Sequence, residues 1–304
     1  MSLSCSKCNR PAVTYIRYNG THLCKNHFID YFERRVKKEI KKQGRTNDGS
    51  KIGVALSGGK DSTVALHIIN DIFSKRPNID IVAITIDEGI KGYRPNSIKC
   101  AVNNCKKLAI DHYIVSFKSF VGKSLDEIVL LKDGLGECSY CGVFRRICLN
   151  MKSKELGVTR LVTGHNLDDM SQSILMNFVN GDMQKLARLG PHRKVQLGLV
   201  PRMLPLRVIP EKEVTMYAIL KNIEYYDGEC PYSIHALRGD FRDIIDNLEY
   251  YHPGTRHSIL NSYDSIKDLL SEKYPPAKLN RCEMCGEPTS QIFCKACTLK
   301  EKIQ

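Results

Sequence analysis

Ile52-Gly53-Val54-Ala55-Leu56 runs straight into Ser57-Gly58-Gly59-Lys60-Asp61-Ser62, and then into Thr63-Val64-Ala65-Leu66-His67-Ile68-Ile69. The first run is apolar and has the length of a buried strand. From Thr63 to Phe73 apolar residues recur at helical spacing. Between the two, adjacent glycines let the backbone come close to an anion. The start of the helix turns free N–H groups and a positive dipole end towards the same point. This loop is not a Walker A loop. That pattern needs Gly six residues before the Lys and Ser or Thr directly after it, and here those positions are Val54 and Asp61. The G-x-G-x-x-G spacing of dinucleotide folds is absent as well.

The alternation continues outward. Ile79–Ile86 reads as a strand, Ser97–Leu108 as a helix and His112–Phe117 as a third strand. Gly142–Leu156 is helical, Arg160–Thr163 a fourth strand and Asp168–Val179 another helix. This order predicts an α/β doubly wound parallel sheet with right-handed crossovers and ligands at the carboxyl ends of its strands. The alternating domain is taken as 51–200, with a mostly helical continuation over 201–275. Upstream, 28–50 combine an amphipathic helix with a linker. The helix is marked by Phe28, Tyr31, Phe32, Val36 and Ile40, and the linker is the polar run Gln43–Ser50. Cys-rich segments close both ends, over 1–27 and 276–304.

With 304 residues and 42% hydrophobic content, the chain can bury a sizeable core, and without Trp that core must rest on Ile, Leu and Val. The net charge of +13 fits either a solvated lysine surface or a polyanionic partner such as nucleic acid. Met1 to Asn9 is polar and has no apolar segment of signal-peptide type, and no 18-residue apolar run occurs. The expectation is a cytoplasmic protein without a membrane partner. The thirteen cysteines cluster as CxxC pairs, a pattern of metal or redox chemistry rather than disulfides.

At the N-terminal end, Cys5-x₂-Cys8 is followed by Cys24-x₂-His27; His22 is a competing ligand with poorer spacing. At the C-terminal end, Cys282-x₂-Cys285 is followed by Cys294-x₂-Cys297. Both sets have four-ligand zinc spacing and read as structural Zn²⁺ sites, two per chain. They would also present Arg10, Arg17, Lys25 and Lys295 to a polyanion. Cys100, Cys105 and Cys148 lie in helical stretches and read as packing residues. That leaves Cys138-Ser139-Tyr140-Cys141, flanked by Gly136 and Gly142, and the distant Cys230. Three readings are open for them: a redox disulfide, a zinc site in need of a fourth ligand, or three ligands of an iron–sulfur cluster.

Ser57 to Ser62 resembles the PP-loop of the ATP pyrophosphatase superfamily, whose members cleave ATP between the α and β phosphates and adenylate a carbonyl oxygen. The resemblance implies that Ser57, Gly58, Gly59, Lys60, Asp61 and Ser62 hold pyrophosphate, and that Ile84, Thr85 and Ile86 meet adenine through backbone. Asp87 is either a Mg²⁺ ligand or a solvated strand-end carboxylate. Further on, Cys138-Ser139-Tyr140-Cys141-Gly142-Val143-Phe144-Arg145-Arg146, Thr163-Gly164-His165-Asn166-Leu167-Asp168-Asp169 and Gly228-Glu229-Cys230-Pro231 closely resemble the TtcA/TtuA family of tRNA thiolases. Together with the two Cys-rich ends, the match covers essentially the whole chain.

The family resemblance implies an ATP- and Mg²⁺-using enzyme that puts sulfur on C2 of a tRNA uridine. Cys138, Cys141 and Cys230 would ligate a [4Fe-4S] cluster whose fourth iron is open to exogenous sulfur. A cluster-free alternative makes one cysteine a persulfide carrier and another its resolving partner. Gly164 and Asp169 would lie near the ATP α-phosphate, with Asp169 binding Mg²⁺ or orienting substrate, and Arg145 would stabilise phosphate charge during adenylation. Asp168 stands where a helix N-cap would. The family's T-loop branch, which makes 2-thioribothymidine, carries Lys four residues after the second cysteine, where this chain has Arg145. CGVFRR, Ile174-Leu175-Met176-Asn177, Arg238-Gly239-Asp240 and Cys294-Lys295-Ala296-Cys297 look more like the wobble-uridine branch. The resemblance further suggests a homodimer and a sulfur donor that is either sulfide or a ubiquitin-like thiocarboxylate carrier. Two readings of other kinds compete. An ammonia-using PP-loop synthetase leaves the three middle cysteines unexplained. A non-catalytic zinc protein that binds nucleic acid leaves the SGGKDS loop unexplained.

Overall fold

The computed structural model describes residues 3–44, 46–47, 49–131, 134–192, 195–235 and 238–303, without the side chains of 234 and 235. Positions 1–2, and 45 and 48 of the predicted linker, lie outside the described residues. In chain order the elements are β1 (Thr14–Ile16), β2 (Thr21–Leu23), α1 (Lys25–Lys42), β3 (Lys51–Ala55), α2 (Lys60–Phe73), β4 (Asp80–Asp87), α3 (Arg94–Leu108) and β5 (Asp111–Ser116). There follow α4 (Phe117–Val121), α5 (Leu125–Val129), α6 (Glu137–Glu155), β6 (Arg160–Val162), α7 (Leu167–Val179), α8 (Met183–Ala187), β7 (Arg202–Met203) and α9 (Glu211–Leu220). A 3₁₀ turn (Pro231–His235), α10 (Arg238–Tyr251), α11 (Thr255–Lys273), β8 (Asn280–Arg281), β9 (Pro288–Thr289) and α12 (Lys295–Ile303) complete it.

Five strands make one sheet in the order β5-β4-β3-β6-β7, all parallel. The chain leaves the central strand β3 towards β4 and β5, then returns to the other side for β6 and β7. The order therefore reverses between β3 and β6, and a crevice opens there at the strands' carboxyl ends. Ile52, Val54, Ile84 and Val162 are fully buried, as strands covered by helices on both faces require. The predicted α/β doubly wound class is observed.

The predicted strands and helices are found with shifted ends. The largest shift is in α6, which begins at Glu137, five residues before the predicted Gly142. Extended Gly136 precedes it, and Tyr140 and Phe144 are buried on one face, so the helix swallows the CxxC pair. The sheet also continues beyond residue 200, because β7 pairs Arg202 with Leu161 and Met203 with Val162. α1 is amphipathic as expected: Phe28, Phe32 and Val36 are fully buried, and the Phe32 ring stacks on Tyr217 of α9 at 4.1 Å. The C-terminal Cys-rich segment packs against α6, where buried Glu287 accepts from Asn150 Nδ2 at 2.7 Å and pairs with Lys154. Among the described residues, no helix is long and apolar enough to cross a membrane.

Candidate active site

The turn between β3 and α2 stands at the crevice. Gly58 has φ +88°, and a Cβ there would lie 1.9 Å from the Ser97 carbonyl oxygen, so only glycine fits. Across the crevice a Cβ on Gly164 would meet the Ser62 nitrogen at 2.7 Å. The loop after β6 is thus pressed against the first turn of α2. Ser62 Oγ accepts from the Ser57 nitrogen at 3.1 Å and lies 2.9 Å from Ser57 Oγ, which sets the curl of the loop. Lys60 Nζ is held by Glu211 Oε1 at 2.7 Å, and Asp61 Oδ1 accepts from Asn166 Nδ2 at 3.1 Å. Burial pushes the Asp61 carboxyl up to about 6, against the pull of Lys60. Gly164 lies against the first turn of α2, which begins at Lys60, so a cation and free helix N–H groups suited to a polyphosphate stand together. Ile84, Thr85 and Ile86 lie buried in β4, and Thr85 Oγ1 donates to the Leu56 carbonyl at 2.6 Å. Their side chains serve the core.

Beneath the loop lies a buried ion pair. Arg94 Nε is 2.7 Å from Glu88 Oε2, and the two residues are only 3% and 5% exposed. Arg94 also donates to the Ser57 carbonyl at 3.1 Å, to Ser97 Oγ at 3.0 Å and to the Ile86 carbonyl. The other oxygen of Glu88 faces Arg145 Nη1 at 3.9 Å. One buried carboxylate therefore spans the floor of the phosphate loop and the exposed Arg145 on α6. Burial without a partner would cost either charge several kcal/mol, so each fixes the other.

The three middle cysteines gather at the same end of the sheet. Cys138 and Cys141 occupy the first turns of α6, and Cys230 precedes the 3₁₀ turn packed against that helix. The Cys138 thiol is exposed and donates to the Tyr232 carbonyl at 3.8 Å. Cys141 and Cys230 are half-buried on the apolar cluster of Tyr140 and Phe144. Burial pushes the Cys141 thiol up to about 11, with Arg145 pulling it down, and burial raises Cys230 too. The segment leading to Cys230 is tied to the phosphate loop, because the Tyr226 nitrogen donates to the Gly58 carbonyl at 2.9 Å.

The terminal sets are closed. Each brings its four predicted ligands, Cys5, Cys8, Cys24 and His27 or Cys282, Cys285, Cys294 and Cys297, within 4.8 Å of one another. Donors held tetrahedrally on zinc at ordinary bond lengths stand about 3.8 Å apart sulfur to sulfur and about 3.5 Å sulfur to nitrogen. The Cys8–Cys24 and Cys285–Cys294 sulfurs are 3.8 and 3.6 Å apart, and His27 Nδ1 is 3.3 and 3.5 Å from Cys5 and Cys24. Both sets fit zinc. His22 stacks on Tyr15 instead and takes no place in the set. The middle trio does not form such a tight group. A cubane offers its irons at separate corners, so its thiolates stand wider apart than four on a single ion. The trio is looser than the zinc-type sets, yet its thiols still act on one another electrostatically, which is compatible with that larger object.

Asp168 is not a helix cap. Asn166 caps α7, its side chain accepting from the Asp169 nitrogen at 3.0 Å while Asp169 Oδ2 accepts from the Asn166 nitrogen at 3.1 Å. Asp168 points the other way, to Arg256 Nε at 2.6 Å and the Glu211 nitrogen at 2.7 Å. The free oxygen of Asp169 faces Arg238 Nη1 at 3.4 Å. Asp87 Oδ1 accepts from the Gly89 nitrogen at 2.9 Å and so closes the turn after β4. Cys100, Cys105 and Cys148 are buried packing residues as expected. Sequence reasoning passed over Glu88, Arg94, Glu211 and Tyr226. For Glu88 and Arg94 the available signal was the charged, glycine-punctuated run Glu88-Gly89-Ile90-Lys91-Gly92-Tyr93-Arg94 directly after a buried strand; Glu211 and Tyr226 carried none.

A glycine loop at the switch point of a parallel sheet, without Walker spacing, defines an ATP-binding α/β protein of the PP-loop class. The PP-loop domain model matches residues 29–248, and the N-terminal LIM domain of the 2-thiouridine synthetase TtuA matches residues 4–29. The chain belongs to the PP-loop family that includes the tRNA 2-thiolation proteins. It is 40% identical to the tRNA 2-thiolation protein NcsA of Haloferax volcanii, covering 99% of both chains. It is 34% identical to the cytoplasmic tRNA 2-thiolation protein 1 of Xenopus laevis, over all of this chain and 89% of that one. The solved structure of the U34-tRNA thiolase NcsA from Methanococcus maripaludis, with its [4Fe-4S] cluster, superposes with a TM-score of 0.86 at 37% identity, covering 99% of this chain and 97% of the other.

Proposed function

We propose that this chain is an ATP-dependent tRNA uridine 2-sulfurtransferase that makes 2-thiouridine at the wobble position. One observation carries the reading: the phosphate loop and the three middle cysteines share one end of the sheet, joined by the bond from Tyr226 to Gly58 at 2.9 Å. Activation and sulfur delivery have to act on the same uridine, so their machinery has to meet. The naming of the relatives as tRNA 2-thiolation proteins, and of one as a U34-tRNA thiolase, supports the substrate.

In the first step O2 of uridine attacks the α-phosphorus of ATP, the bond to the β-phosphate breaks, and pyrophosphate leaves. Ser57 to Ser62 hold the departing pyrophosphate through N–H groups, and Lys60 swings from Glu211 to phosphate. Arg145 stabilises the charge at the α-phosphorus. Asp169 orients the substrate or a Mg²⁺ ion. In the second step sulfur attacks C2, the carbon–oxygen bond breaks, and AMP leaves because adenylation has made the oxygen a good leaving group. When bound to Cys138, Cys141 and Cys230, a [4Fe-4S] cluster supplies an iron without a protein ligand where exogenous sulfur is held.

In this reading 1–27 and 276–304 are zinc-bound supports, with two Zn²⁺ per chain, and 28–50 are a helix and linker. Residues 51–200 bind ATP, and 201–275 bring in Cys230. The enzyme works in the cytoplasm as a homodimer, with sulfide or a thiocarboxylate carrier as donor. Incubation of anaerobically purified protein with ATP, sulfide and unmodified tRNA should yield 2-thiouridine at the wobble position together with AMP and pyrophosphate. ADP and phosphate as main products would overturn the adenylation step, and thiolation confined to the T-loop would overturn the position.

A further inference from the structure

Among the described residues, two arginines in the crevice wall have no partner. Arg146 lies exposed on α6, folded back so that its Nη1 would sit 3.2 Å from a Cβ on Gly142, next to Cys141. Arg202 is half-buried on the edge strand β7. Among the described residues neither side chain forms an ion pair or a hydrogen bond.

The chain geometry brings them together. Asn150, one helical turn after Arg146, donates from Nδ2 to the Gly198 carbonyl at 2.9 Å and accepts from the Val200 nitrogen at 3.1 Å. β7 therefore starts alongside α6 at Asn150. A strand advances about 6.6 Å in two residues and a helix about 6 Å in four, so two steps from Val200 to Arg202 match one turn back from Asn150 to Arg146. Side chains two apart on a strand share a face, and Met203, on the opposite face, is fully buried in the other core. Arg202 accordingly points at α6. The electrostatics agree: burial and the nearness of Arg146 and Arg145 hold the Arg202 guanidinium below its usual value, and no carboxylate offsets them. Burial lowers the pKa of His165, next to Gly164; Asp169 raises it, and Arg202, Arg238 and Arg145 lower it further, so the arginine cluster borders the crevice mouth.

Arg146 and Arg202, neighbouring like charges partly out of water and neither paired with a carboxylate, are costly to hold until an anion arrives. We infer that Arg146 and Arg202 form a clamp for phosphate groups of the RNA backbone flanking the reacting uridine, beside Arg145. Phosphate is the shared chemistry; RNA is favoured over nucleotide because the phosphate loop already supplies Lys60 and helix N–H groups for ATP. A guanidinium pair on a groove wall sets the register of a strand without reading its bases. The clamp rests on the tRNA-modifying reading above.

The test is tRNA binding by the full-length protein over a salt series, with ATP affinity and thermal melting measured alongside. Arg146→Gln and Arg202→Gln should each weaken tRNA binding about five- to tenfold at low salt, and lower the slope of log affinity against log salt by about 0.7. ATP affinity should not change, and Arg202→Lys should restore the slope. If Arg202→Gln melts early, Arg146→Glu on the exposed helix face should still cut tRNA affinity further than Arg146→Gln does. Unchanged affinity and slope in well-folded variants would overturn the clamp while leaving the functional reading intact. Lost ATP or pyrophosphate affinity with normal tRNA binding would reassign the arginines to nucleotide. Wild-type protein that binds no tRNA would remove the functional reading and the clamp with it.

Discussion

The terminal cysteine sets and the middle trio use the same residue at the same CxxC spacing, yet they are built differently. Each terminal set is closed within one short segment, with all four ligand atoms inside 4.8 Å, and its sulfurs accept from its own loop: the Cys294 nitrogen donates to Cys282 Sγ at 3.2 Å. The middle three come from a helix and from a turn some ninety residues later, and the Cys138 thiol is exposed. A closed tetrad leaves its metal no open position and serves stability, whereas an open trio leaves room for chemistry. What separates them is the fourth ligand and the company: only the trio sits beside a phosphate loop.

The sharpest way to break this contrast is to remove one cysteine from each side. Cys141→Ala or Cys230→Ala should reduce thiolation to background while ATP and tRNA binding persist and melting stays near wild type. Cys148→Ala, a change in the packed core, should keep activity and lose about 1 kcal/mol of stability in denaturation. Cys294→Ala should do the opposite of the trio variants. It should release one zinc and lower the melting temperature strongly, since metal-binding energy in such knots is folding energy. Normal stability in that variant would make the knot something other than a structural zinc site.

Smaller effects probe the crevice that the trio shares with the loop. Glu211→Gln frees Lys60 from a half-exposed pair, so the KM for ATP should fall about two- to fivefold. A rise would mean that Glu211 helps to bind the nucleotide instead of competing for Lys60. The smallest effect concerns pH. Asp61 is raised to about 6 in the fold by burial, against about 3.9 unfolded, so between those values the native state holds more protons than the unfolded one. This group favours folding as pH falls through 6 and opposes it above. Asp61→Asn should be more stable than wild type at pH 7 in urea titrations, with the advantage shrinking by pH 5. An advantage independent of pH would contradict the burial assignment.

Much of this was legible in the sequence because it rests on local patterns. The strand–SGGKDS–helix unit and both zinc-type sets are short-range, and spacing alone specifies them. The features that were missed depend on distant segments meeting. Glu88, Arg94 and Arg145 become one unit only when α3 and α6 pack around the end of β4. The bond from Tyr226 to Gly58 needs a chain that returns to β3 after more than 160 residues. Asp168 resembled a cap because it begins a helix, but Asn166 two residues earlier accepts the N–H that a cap must satisfy, which frees Asp168 for Arg256. The helix read from Gly142 starts at Glu137 instead, with Gly142 inside it. Buried Tyr140 and Phe144 outweigh the roughly 1 kcal/mol that one glycine costs.

The most direct test of the contrast is a metal inventory on anaerobically purified protein, read together with thiolation activity, for wild type, Cys141→Ala and Cys294→Ala. Each wild-type chain should carry four irons and two zincs. Cys141→Ala should lose the iron, its visible absorbance and all thiolation while keeping both zincs. Cys294→Ala should lose one zinc and keep iron in whatever fraction stays folded. Iron-free wild-type protein with full activity, its sulfur traced to a persulfide on Cys138, Cys141 or Cys230, would contradict the cluster reading.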